Sequence, residues 1–283
     1  MMKHIVSFFI CFVLLASCSA AEKKEMKASD VIKLLKNGKH IHFHDKIITD
    51  DLCFANAAEP FLISANTLQS EIGGNIFFSN CIFLGKVTST QKVGQTTARS
   101  AFRNNLIFID CDFRGEVDFA EATVNGIVNF SKSTFHENAT FNGMAVWAKD
   151  SYFSEIKAEK RFSAVYSQFM GNLHIIAAEF ADRVSFQETS VKGKFVLNNS
   201  HFSSRAAFDM METNGSAFFN YVAFADNVNF SNARFMNSVD FIKTIFGKTP
   251  TFDNAYFLSA IRVETANPDA LAPDFTNAFL MFK

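Results

Sequence analysis

The chain has 283 residues, 48% of them apolar, which is ample for a core, and its formal net charge is only −1 at pH 7. That balance excludes both a nucleic-acid-binding footprint and a strongly acidic surface. Phenylalanine is in large excess, 36 residues against 4 Tyr and 1 Trp, and it is the aromatic with no polar group to satisfy when buried, so the rings belong inside.

The first predicted element is a secretory signal, residues 1–17: Lys3 precedes an apolar run over residues 5–16 that is too short for a retained membrane span. It ends in Leu15-Ala16-Ser17-Cys18, which resembles the lipobox of bacterial lipoproteins. The resemblance implies Cys18 as the lipid-attachment residue and a chain anchored to a membrane without spanning it. Ser19 after it is similar to the sorting default toward the outer membrane. Residues 18–29 are polar and charged and read as a flexible tether. Cys53, Cys81 and Cys111 remain in the mature chain; three is odd, and no C-x-x-C pair is present.

Residues 30–70 read as an N-terminal cap. Val31, Leu34 and Leu35 predict a short helix over residues 30–37, with Ser29 as its N-cap and Asn37-Gly38 as its stop. A strand follows, in which Ile41 and Phe43 alternate with His40, His42 and His44. Those histidines project from one face, as metal ligands would; the reading preferred here is that they simply face water while Ile41 and Phe43 face the core.

From residue 71 to residue 263 large apolar residues recur at alternating steps of five and six. In NFSNARFMNSVDFIKTIFGKTPTF the phenylalanines stand at 230, 235, 241, 246 and 252. Neither a helix nor a single strand has that period, whereas a repeated supersecondary unit does. A second column, two residues before each anchor, is small or β-branched, as at Cys81, Cys111, Val117, Ala122 and Val128, so both columns face inward. The frame slips once near Trp147, is weak at Ala158 and Ala164, which predicts a local distortion, and lapses to a polar residue at Thr213. Residues 87–105 lack anchors and read as an inserted loop, a candidate binding surface or a solvated excursion.

Runs such as CDFRG, VDFAE, VNFSK, ARFMN and VDFIK resemble the units of pentapeptide-repeat proteins, in a Phe-rich branch with an eleven-residue double unit. The resemblance implies an all-β fold, a right-handed quadrilateral β-helix solenoid behind the short helical cap, with about 22 residues per coil. Residues 264–283 hold Pro268, Pro273, Phe275, Phe279, Leu280 and Phe282, and either close the coil or join two copies end to end.

No nucleophile elbow, zinc-helix motif or phosphate-binding glycine loop occurs, and no cofactor is expected. The reading that follows is a non-enzymatic, lipid-anchored envelope scaffold for a protein or glycan partner, as a monomer or end-to-end homodimer. A β-helical polysaccharide lyase or hydrolase is the alternative. Some relatives resemble DNA and bind topoisomerases, a role that the near-neutral charge and the lipobox oppose.

Overall fold

A computed structural model describes residues 23–267 and 270–281; Cys18 and the signal lie outside them, as do Pro268 and Phe282. The chain winds as a β-solenoid in which four short strands make one coil and each pairs in parallel with the same strand of the next. One coil runs Leu106–Ile109, Asp112–Phe113, Val117–Asp118 and Thr123–Val124, and these define the first to fourth faces. Leu106 pairs with Val128, Asp112 with Thr134, Val117 with Ala139 and Thr123 with Ala145, an offset of 22 residues on every face.

The beat of five and six is the alternation of two corner types. After the first and third faces, at the five-residue steps, the chain makes a tight turn. The amide of Ala122 donates to Phe119 O, that of Met211 to Phe208 O, and the residue before each donor has positive φ. Glu121, Lys132, Glu155, Tyr166, Ala177, Glu188, Asn199, Met210 and Tyr221 occupy that left-handed position at φ 53–62°. Positive φ at the third residue of a hydrogen-bonded turn marks type II geometry. The six-residue steps are open bends.

Inside, like residues stack on like. Phe108 lies on Phe130 at 5.1 Å and 13°, Phe113 on Phe135 at 5.1 Å and 4°, and Phe230 on Phe252 at 4.9 Å and 3°. Those separations are offset stacks, which the ring quadrupole favours over a face-to-face sandwich. The fourth face carries smaller anchors, Val124 and Val146 before Phe169 and Val191 and Thr213 after it, between Phe102 and Phe235. Seryl and threonyl residues of the small column satisfy their hydroxyls against the backbone of the preceding coil: Ser167 Oγ donates to Phe141 O at 2.7 Å and Thr189 Oγ1 to Ala164 O at 2.6 Å.

Five expectations need correction. Lys24–Met26, placed in the tether, is a strand paired with Lys46–Ile48, because its backbone can complete the edge of the second face. The helix runs Ala28–Lys36, and Ser29 is not its N-cap; the carboxylate of Asp50 accepts from the Ala28 amide at 2.9 Å instead. Residues 41–72 are already a coil of the solenoid, since Ile41 pairs with Ile76, Ile48 with Phe83 and Leu52 with Val87. No distortion accompanies Ala158 and Ala164: both keep register, and Phe162, buried in the small column, supplies the missing volume. Finally, residues 87–105 are no loop. They hold the strands Val87–Thr88, Thr90–Val93 and Thr96–Phe102, with Phe102 as a buried anchor.

The helix covers the first coil with Ala28, Val31 and Leu35, and Phe54 from a short 3₁₀ turn fills the interior beneath it. At the other end Phe275 lies on Phe252 at 4.7 Å and Phe257 at 5.5 Å, closing the hollow. Phe279–Leu280 then adds a last, exposed rung beside Tyr256–Phe257. The frame slip near Trp147 is a single extra residue at a bend: Val128 pairs with Ser151, 23 residues on.

Candidate functional site

Stacked coils place outward side chains in straight columns, and candidate sites are columns. His40, His42 and His44 lie on the first face with Ile41 and Phe43 turned inward, as the alternation requires. His40 Nδ1 accepts from the Asn75 amide at 2.9 Å, His44 engages Ser79 Oγ, and His42 packs edge-on against Phe77 at 4.4 Å. Among the described residues no three groups of metal-binding type converge.

Cys81 and Cys111 are both buried thiols, neighbours in the small column of adjacent coils. Burial pushes the Cys111 thiol up, and its hydrogen bond to Cys81 draws the Cys81 thiol down. Cys53 is free and half-buried.

The insertion forms a wing. Thr90–Val93 pairs antiparallel with Thr96–Phe102, which pairs in parallel with Thr67–Ile72, which in turn pairs antiparallel with Phe61–Ser64. Two consecutive coils therefore extend the same corner, and the extensions stack as the coils do. Phe61, Leu62 and Ile63 on its outer strand are exposed. At the root of this sheet Arg103 bridges to Glu71 and Arg99 lies 3.5 Å from Glu121.

On the second face His136 Nε2 stands 2.7 Å from Asp112 Oδ1 and its Nδ1 3.1 Å from Glu159 Oε2, carboxylates from the coils on either side. Partial burial pulls the imidazole pKa down, but the two carboxylates outweigh it and the net shift is upward.

The site that sequence reasoning missed lies on the third face. Arg161, Arg183 and Arg205 precede the aligned strands Phe162–Ser163, Val184–Ser185 and Ala206–Ala207, at intervals of one coil. Their backbones form one ladder: Phe162 N donates to Arg183 O and Val184 N to Arg205 O, at 3.1 and 3.0 Å. The three exposed side chains flank a shallow groove of ≈320 Å³ lined also by Ser185, Ala207 and Asn229. The available signal was the interval of 22 itself, which the apolar columns had already defined. At the corner after the fourth face, Trp147 stands 58% exposed.

Comparison with protein-family models matches residues 98–145 to the family described as pentapeptide repeats (9 copies). Residues 98–145 are pentapeptide repeats. The matched residues begin in the wing and run through two of the coils, and the same register continues beyond them to Phe257. No curated protein and no solved structure matches the chain. The solenoid departs from a uniform five-residue unit through the extra residue at every second corner. That residue opens the second-to-third and fourth-to-first face bends.

Proposed function

We propose that this pentapeptide-repeat protein is a lipid-anchored binding scaffold of a bacterial cell envelope, non-catalytic, presenting its faces to a protein or glycan partner. The observation that carries the reading is the repetition itself: four faces of short parallel strands set outward side chains in straight rows suited to an extended partner. The anchor rests on the sequence Leu15-Ala16-Ser17-Cys18. One acyl chain binds a membrane reversibly, and several on one cysteine hold it stably, at roughly 0.8 kcal/mol per buried CH₂.

Envelope fractionation of cells expressing the full chain and its Cys18→Ser form tests the anchor. The wild type is expected in the detergent-extracted membrane fraction and the variant in the soluble fraction; equal partition of the two would remove the lipid reading. Cross-linking in the same cells tests the scaffold, which is overturned if no partner is captured and the purified chain turns over a polysaccharide.

A further inference from the structure

Several surface lysines of this solenoid are set against a carboxylate on the next coil. Lys86 faces Glu116 at 2.8 Å, Lys157 faces Glu179 at 3.5 Å, Lys192 faces Glu212 at 3.0 Å and Lys243 faces Glu264 at 3.8 Å. The third-face arginines stand in one column with no such cross-coil partner. Among the described residues Arg161 and Arg205 have no carboxylate within ion-pair distance, and Arg183 has only the adjacent Asp182 at 3.9 Å. Asp226, near Arg205, is held by Lys248 at 2.5 Å. Three arginines thus leave adjacent rungs, whose backbones are roughly 4.8 Å apart, from the same position, and like charges so placed repel unless an external anion sits among them.

We propose that this groove binds a linear, carboxylate-bearing polysaccharide laid along the solenoid axis, with Arg161, Arg183 and Arg205 each engaging a carboxylate of the chain. The proposal rests on the scaffold reading above and gives that scaffold its ligand class. Guanidinium forks match carboxylates in a planar, two-point geometry that an ammonium does not reproduce. The floor is made of short side chains, Ser185 and Ala207, so a flat sugar ring lies close to the backbone. Asn229 continues the same row with an amide able to meet hydroxyls. A nucleic acid fits less well. The lining holds no aromatic side chain on which a base would stack.

Isothermal titration of the full chain in detergent micelles against polygalacturonate, neutral dextran and a single-stranded oligonucleotide tests this. Wild type is expected to bind polygalacturonate, more weakly as salt rises, and to ignore dextran. R161S/R183S/R205S, whose exposed positions leave the core untouched, is expected to bind roughly tenfold more weakly, about 1.4 kcal/mol. R161K/R183K/R205K should recover only part of the loss. K157S/K192S/K243S, which removes the same charge from paired positions, should bind as wild type does. Absence of polygalacturonate binding, equal binding by the arginine-to-serine variant, or preference for the oligonucleotide overturns the proposal; a partner captured elsewhere on the chain would still leave the scaffold standing. Release of new reducing ends from polygalacturonate would overturn the scaffold reading as well.

Discussion

Thr213 occupies the fourth-face anchor position that Val191 and Phe235 fill one coil before and after it, and it is buried to 1% exposure. Its hydroxyl has no hydrogen-bond partner, whereas Thr189, in the small column, donates to Ala164 O at 2.6 Å. A buried hydroxyl without a partner costs free energy that a methyl of the same shape does not. Thr213→Val is therefore expected to raise stability by about 1 kcal/mol and Thr189→Val to lower it by about the same, read from urea unfolding followed by far-ultraviolet circular dichroism. Equal effects of the two would show that the hydrogen bond at Thr189 is immaterial. At this scale the inward columns were legible, because size and polarity recur at a fixed interval. The left-handed corner residues were not: Tyr166, Met210 and Tyr221 are poor formers of that conformation, and only the stacked turns above and below impose it.

His136 is the point where three coils meet on one side chain, with Asp112 before it and Glu159 after. Its folded pKa lies above the ordinary value, so its contribution is fully present below about pH 6.5 and is lost as pH rises through the folded pKa. The gap in melting temperature between wild type and His136→Gln is accordingly expected to be larger at about pH 5.5 than at about pH 8.5. A gap that is constant or grows with pH would show that the carboxylates do not act on this ring; because the groups are partly exposed, the effect is modest and shrinks in salt. Among elements, the one most misread was the wing. Its outer strands carry exposed residues with little apolar alternation, as in Thr90–Val93, so the five-and-six beat offers no handle there. The local clue was Gly94-Gln95, a two-residue loop with glycine first and φ of 63°, flanked by β-formers. The helix was placed within two residues at its start and one at its end, but its N-terminal partner, Asp50, is distant in sequence and invisible to a local reading.

Across the whole molecule each coil touches only its neighbours, so the two ends bear the cost of leaving apolar rings uncovered. Phe275 covers the last one, against Phe241, Phe252 and Phe257. Phe275→Asp is expected to speed hydrogen exchange in residues 252–265 selectively and to drive self-association in sedimentation velocity. Unchanged exchange and an unchanged sedimentation profile would show that the cap is dispensable. The solenoid and its period were legible as one pattern over most of the chain. Its first coil was not, because the steps to the next two coils are 35 and 30 residues, as the pairings Ile41 with Ile76 and Ile76 with Leu106 show. The arginine column escaped notice since a charge repeated three times is inconspicuous beside so many phenylalanines.

The placement of the single tryptophan has an optical consequence. The interior is built from phenylalanine, which scarcely absorbs near 280 nm, while the indole of Trp147 sits outside, wetted by solvent in the native state. Native emission is thus already red-shifted, and its colour reports one bend of the surface and is nearly blind to melting of the aromatic interior.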